Sequence, residues 1–174
     1  MENQTTSAKQ VMLTYGLMLG LATIVISVVN YSIGDIYKPH WSIQVIGLIA
    51  IAVLIVLGIK KYKNENTYLS LGQAIKIGLG IALIGAIISL VYTLVFIKVI
   101  EPEFIPNTIE IETQKMYDQG QGEEQIDMAV GFMKNYMMIM IVAMIIISNL
   151  FVGFIVSLIS GVIMKESNEE VTSI

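Results

Sequence analysis

Apolar and polar residues follow one another along this chain in long blocks. Four blocks contain no charged side chain, at residues 10–34, 39–59, 77–97 and 135–164. A hydrocarbon core of about 30 Å is crossed by about 20 apolar residues in a helix, so each block is long enough to span a bilayer. The pattern therefore predicts an all-α integral membrane protein, a four-helix bundle forming one membrane domain over residues 1–174.

Residues that cap or break helices set the limits of the predicted spans. Ser7 with Gln10, and Ser70 with Gln73, have the spacing of capping boxes at the starts of the first and third helices. Pro102 follows the end of the third. The predicted spans are about 11–33, 41–59, 74–99 and 136–164. After the second span come Lys60, Lys61 and Lys63, and residues 64–67 are then predicted to form a short polar turn.

The segment 100–135 is acidic and predicts a soluble extracytoplasmic loop containing a short helix. Residues 107–110 have the composition of a helix cap, and Gly120 to Gly122 would end that helix. The fourth helix is predicted to begin near Glu123 and to continue to Met164. The eight acids of the segment do not have the spacing of a calcium loop, so a solvated surface is the simpler interpretation, and cation binding is left open.

Composition narrows the chemistry further. Hydrophobic residues make up 55% of the chain and charged residues 14%, and there is no cysteine and one histidine. Thiol catalysis and thiolate metal sites are thereby excluded. The basic residues are all lysines, without the large basic patch that nucleic-acid binding requires. We expect no catalytic, cofactor-binding or metal site, and no enzyme activity.

The distribution of lysines predicts the orientation. With the N-terminus inside, the inner lysines are Lys9, Lys60, Lys61, Lys63, Lys76 and Lys165, and the outer ones are Lys38, Lys98, Lys115 and Lys134. Because the inner loops are much shorter, their lysine density is far higher, which places both termini in the cytoplasm and the chain in the cell inner membrane. The candidate contacts to anionic headgroups or a partner are Lys60, Lys61, Lys63, Gln73 and Lys76.

Small residues recur at four-residue spacing within the predicted spans. They are Gly16 and Gly20, then Gly78, Ala82 and Ala86, and finally Gly153, Ser157 and Gly161. In lipid, helices associate along such small faces, so we interpret these residues as packing seams, with a homo-oligomer interface as the alternative. Asn149 lies one turn before the last group and must find a polar partner or line a pathway.

Two weaker patterns complete the sequence. A displacement of 62 residues aligns Gly16 with Gly78 and suggests two repeated hairpins. Methionines cluster in the fourth span, at Met137, Met140 and Met144 among others. We interpret them as adaptable core filler, since no cysteine or histidine accompanies them.

Several short motifs resemble one family over nearly the whole chain. They are Tyr15-Gly16-Leu17, 58–62, 69–74 with Lys76, 102–104, and 159–161 with Met164 and Lys165. These resemble the family named domain of unknown function 4199, small bacterial membrane proteins with four predicted spans. The resemblance implies a cytoplasmic-membrane location and no established activity, and it supplies no site residue.

Our leading hypothesis for function is a non-enzymatic interaction or assembly subunit that contacts the lipid bilayer and a membrane protein partner. The alternative is a small oligomeric channel or carrier for a small solute, with Asn149 and the small-residue seams around its pathway. An enzyme at the membrane surface is disfavoured because no nucleophile and base, or cluster of metal ligands, is evident.

Overall fold

The computed structural model describes residues 7–66 and 68–165, and all regular elements in this part of the chain are helical. The elements are α1 (Ala8–Ile33), α2 (Trp41–Asn66), α3 (Leu71–Val95), α4 (Phe104–Asp118) and α5 (Glu123–Met164). A single π-helical turn, Phe96–Ile100, continues α3. Four helices are long and apolar enough to cross a membrane, namely α1, α2, α3 with its π turn, and α5. The chain is a multi-pass membrane protein, as predicted.

Side chains cap two of these helices as the sequence predicted. Ser7 is the N-cap of α1, and its Oγ accepts a hydrogen bond from the backbone N–H of Gln10 at 3.2 Å. At the start of α3 the capping box is complete. The N–H of Gln73 donates to Ser70 Oγ at 3.2 Å, and the N–H of Ser70 donates to Gln73 Oε1 at 2.8 Å.

The second helix is longer than its apolar span. The predicted turn at residues 64–67 is wrong for 64–66, since α2 continues for about two turns past the predicted helix end at Ile59, to Asn66; Thr67 lies outside the described residues. Lys61 and Glu65 form an ion pair one turn apart, and Asn66 Nδ2 donates to the carbonyl of Tyr62 at 3.0 Å. Such i,i+4 interactions stabilise a helix outside lipid.

Most of the acidic segment is also helical. The predicted cap at residues 107–110 is wrong, because α4 already begins at Phe104 and Thr108 Oγ1 donates to the Phe104 carbonyl inside the helix. α4 ends at Asp118, and Gly120, two residues later, has a φ of 72°, a left-handed conformation that glycine adopts without strain. α5 then runs from Glu123 to Met164, as predicted, with Glu123 and Glu124 at its positive end.

The chain divides into two compact units. The first comprises residues 1–89 and 146–174, and the second residues 90–145. In the first unit α3 is the central helix. Its buried residues are Ala74, Ile77, Gly78, Ile81, Ala82, Gly85 and Ala86. Because these positions cover more than one face, α3 contacts α1, α2 and the second half of α5.

The core of the first unit concentrates where α1 begins and α2 ends. Val11, Ile59, Leu69 and Ala74 are buried there, and Met164 packs against them. No residue between 21 and 54 is fully buried. The second half of α1 and the first half of α2 therefore expose apolar side chains, as expected of helices surrounded by lipid.

The suggested hairpin repeat finds no parallel in these contacts. Gly16 of α1 packs against Ile84 of α3, whereas its counterpart Gly78 packs against Ser157 of α5 and Ile55 of α2. The equivalent positions thus contact helices that a repeat would not relate.

Candidate functional site

Small residues line the contact between α3 and α5. A Cβ added to Gly153 would lie 2.5 Å from the Cβ of Ala82, and one added to Gly161 would lie 2.8 Å from the Cβ of Ala74. A Cβ on Gly78 would overlap the Cβ of Ser157. Each pair is four residues from the next and the numbers run in opposite directions, so the two helices are antiparallel and in backbone contact.

A second contact of this kind joins α1 and α3. Cβ atoms added to Gly16 and Gly20 would both lie 2.6 Å from Cβ atoms of α3, those of Ile84 and Ile88. The numbers increase together, so these helices run parallel. At the glycines of both contacts, atoms of the neighbouring helix already occupy the space that an added methyl group would need.

Polar side chains occur at one level of this packing. Thr23 on α1 and Ser89 on α3 share a hydrogen bond of 2.7 Å, and the Thr23 hydroxyl also contacts the carbonyl of Gly20 at 2.8 Å. Gly153 of α5 faces Ala82 of α3, so one helical turn further along this antiparallel pair Asn149 lies level with Ala86. Asn149 is half-buried and makes polar interactions. Thr23 was not identified from the sequence, because its partner depends on the register of two helices.

Lysines gather at one end of the first unit, which we call the lysine-rich end. Its members are Lys9, Lys60, Lys61, Lys63, Lys76 and Lys165. They meet there because α1 and α3 start, and α2 and α5 finish, at the same end of the bundle. Among the described residues of this end, Glu65 is the one acid, and it pairs with Lys61. Lys60 and Lys76 are exposed, while Lys63 is half-buried.

Gln73 is close to these lysines along the chain but has a structural task. Its Oε1 atom accepts the hydrogen bond that completes the cap of α3. Of the five residues predicted to contact headgroups or a partner, the four lysines therefore remain the more direct candidates.

The second unit contains an apolar groove between α4 and the first half of α5. Phe104 and Thr108 form one side, and three methionines with two isoleucines form the other; the methionines are Met137, Met140 and Met144. The groove has a volume of about 390 Å³. Met137 is buried, but Met140 is 39% exposed and Met144 is 68% exposed. The interpretation of these methionines as core filler therefore holds for Met137 and is wrong for Met144.

Comparison with known families assigns the chain. Residues 14–166 match the family described as "Protein of unknown function (DUF4199)". The chain belongs to this family. Comparison of this DUF4199 protein with curated proteins and with solved structures gave no match.

Membership of the DUF4199 family confirms the resemblance seen in the sequence and supplies no activity. Within residues 7–66 and 68–165, no three His, Cys, Asp or Glu side chains are grouped so that they could hold a metal ion. The features that the geometry brings together are the two packing contacts, the lysine-rich end and the groove. The groove residues Phe104 and Thr108 were not identified from the sequence.

Proposed function

We propose that this protein is a non-enzymatic membrane subunit that acts by interaction, and that its interacting surface is the lysine-rich end. The observation that carries the proposal is the convergence of six lysines, from α1, α2, α3 and the residue after α5, at one end where Glu65 is the one acid among the described residues. Lysines scattered over a surface are common. In the first unit, however, helix packing brings all the lysines except Lys38 to the same end. The chemistry that such a surface recognises is an anionic headgroup or an acidic face of a partner.

The expected strength follows from simple electrostatics. A lysine near an anionic membrane surface contributes about 1 kcal/mol, and the contribution falls off within a Debye length of about 8 Å at physiological salt. Lys61 contributes less than the others because Glu65 neutralises part of its charge. The remaining five are enough for a preference of several kcal/mol over a neutral surface, and this preference should weaken as salt is raised.

The concentration of lysines at one end of the first unit also supports an orientation in the membrane. Lysines near the ends of spanning helices favour the cytoplasmic side. We therefore propose that the lysine-rich end faces the cytoplasm, with both chain termini on that side, and that the protein resides in the cell inner membrane.

A small channel or carrier is the second candidate, because polar side chains occur within the bundle. The hydroxyls of Thr23 and Ser89 and the amide of Asn149 are groups of the kind that contact a solute within a bundle. The contacts at Gly78 and Gly153 favour the first proposal instead, since they leave no room there for a solute. Liposome flux separates the two candidates: solute movement that Asn149→Leu abolishes would support transport and overturn our proposal.

Lipid retention tests the proposal directly. We would replace Lys60, Lys61 and Lys63 together by glutamine and measure by native mass spectrometry how much phosphatidylglycerol stays bound, relative to phosphatidylcholine. The expected result is a weaker preference for phosphatidylglycerol, because Lys9, Lys76 and Lys165 remain.

The matched control replaces three lysines of the second unit by glutamine, namely Lys98, Lys115 and Lys134. This control changes the net charge equally and should leave the preference unchanged. If the two triple variants behave alike, net charge rather than the lysine-rich end decides lipid selection, and the proposal fails.

A further inference from the structure

The groove of the second unit has the size of a ligand site, and its lining is apolar, as a site for a lipid chain would be. Its volume of about 390 Å³ lies within the range of about 300–1,000 Å³ that is usual for small-molecule sites. Thr108 is the one polar residue along it, and its hydroxyl already donates to the Phe104 carbonyl at 2.6 Å. The groove therefore offers hydrocarbon contacts and no ready hydrogen-bond donor.

α5 is longer than one crossing of a membrane requires. The helix has 42 residues, about 63 Å at 1.5 Å per residue, which is roughly twice the thickness of a hydrocarbon core. Its charge-free stretch, 135–164, exceeds the required 20 residues by about ten. The surplus apolar residues are those that line the groove, and methionine side chains adapt readily to a flexible ligand.

A distortion of the backbone lies beside the groove. The π turn begins at Phe96, whose ring meets the ring of Phe104 edge to face at 5.8 Å, and Tyr92 lies 6.1 Å from Phe96 on the other side. The π turn thus supports one wall of the groove through Phe104. Single π turns of this kind are frequent at functional sites.

Charge decides which amphiphile fits. The second unit carries eight acids and three lysines, and Lys115 is paired with Glu112 at 2.6 Å. A headgroup with net negative charge would be repelled by this surface, whereas a zwitterionic headgroup would not.

We propose that the groove between α4 and α5 binds one hydrocarbon chain of a membrane lipid whose headgroup carries no net negative charge. This binding is independent of the role proposed for the lysine-rich end.

Photo-crosslinking tests the proposal on the full chain in detergent micelles. The probe is phosphatidylethanolamine with a diazirine in one acyl chain, and the adducts are mapped by peptide mass spectrometry. We expect adducts on residues 137–145 and on α4 near Phe104. Unlabelled phosphatidylethanolamine should compete for the site better than phosphatidylglycerol does.

Two variants fill the groove from opposite walls, Thr108→Trp and Met140→Trp. The control is Ile139→Trp, which adds the same ring to an exposed position of α5 outside the groove. Both groove variants should lose the adducts, and the control should keep them. Adducts spread evenly over the exposed faces of the spanning helices, or retained in both groove variants, would overturn the site. Equal competition by phosphatidylglycerol would overturn the headgroup preference.

Discussion

The close contact between Gly153 of α5 and Ala82 of α3 predicts that a single added methyl group will destabilise the bundle. In Gly153→Ala the new Cβ would lie 2.5 Å from the Cβ of Ala82, roughly 1 Å inside the separation at which two carbon atoms attract. Neither atom is at the end of a flexible side chain, so relief requires the helices to separate. Other neighbours impose no such limit, because the Gly78 carbonyl oxygen and Ile55 Cδ1 would be at 3.6 and 3.7 Å.

The magnitude follows from comparison with an open glycine. Overpacking of this kind costs about 1–3 kcal/mol, while replacing a helical glycine by alanine gains about 0.5–1 kcal/mol through the backbone alone. Gly47→Ala, in α2, has no atom within 4 Å of the added Cβ and should show the gain alone. The free energies of unfolding of the two variants should therefore differ by about 1–3 kcal/mol, with Gly153→Ala the less stable.

Exchanging the two residues provides the decisive control. Ala82→Gly removes the methyl group that the new Cβ would strike, so the double variant with Gly153→Ala contains the same atoms in reversed positions. The two backbone effects cancel, and stability should return to within about 1 kcal/mol of the original chain. Ala82→Gly alone should be destabilising, because it loses both packing and helix propensity.

Equilibrium unfolding in mixed micelles of increasing SDS fraction, followed by far-ultraviolet circular dichroism, measures these differences. A Gly153→Ala variant as stable as Gly47→Ala would show that α3 and α5 are not in the close contact described. A double variant no better than Gly153→Ala would show that Ala82 is not the partner.

Three further outcomes are expected. Thr23→Val should reduce the free energy of unfolding by about 0.6 kcal/mol, the average for an interhelical hydrogen bond in a membrane, and Ser89→Ala should match it in the same assay. Gln73→Ala should cost about 1 kcal/mol through loss of the α3 cap and leave phosphatidylglycerol retention unchanged; a loss of retention would contradict its purely structural task. Because the chain has no cysteine, Gln119→Cys should react with an impermeant maleimide on intact cells, and Lys165→Cys only after permeabilisation; the reverse pattern would invert the proposed orientation.

Local signals were sufficient to predict most of the helices. A charge-free block defines a span without knowledge of its neighbours, and Ser7 and Ser70 mark helix starts through hydrogen bonds to residues only three positions away. The end of α2 differs from the prediction because its last residues are polar, and polar residues such as 64–66 indicate a turn as readily as a helix. The Lys61 to Glu65 pair shows that a polar segment continues a helix when its charges are four residues apart.

Partners across helices could not be predicted by the same means. The spacing of Gly78 and Gly153 indicates a small face on each helix, but it does not say which helix each face meets. Gly16, with the same spacing, meets the isoleucines of α3 rather than another small face. The bond between Thr23 and Ser89 likewise depends on the parallel register of α1 and α3, which no local pattern encodes.

Burial was hardest to predict along α5. In water, the polar face of a helix identifies its apolar, buried face, but residues 135–164 are apolar on every side because lipid is their surroundings. Met137 and Met144 are therefore alike in sequence context and differ widely in exposure. The groove depends on α4, whose true start at Phe104 carries no capping residue to reveal it.

The two proposed lipid contacts are separable because their charges are opposite. We propose that the lysine-rich end attracts anionic headgroups and that the acids of the second unit exclude such headgroups from the groove. Replacing Lys60, Lys61 and Lys63 should therefore lower phosphatidylglycerol retention and leave the phosphatidylethanolamine adducts of the groove in place. Thr108→Trp should do the reverse. If either change reduced both phosphatidylglycerol retention and the phosphatidylethanolamine adducts, one site would be binding both lipids. The assignment of a separate lipid to each unit would then have to be abandoned.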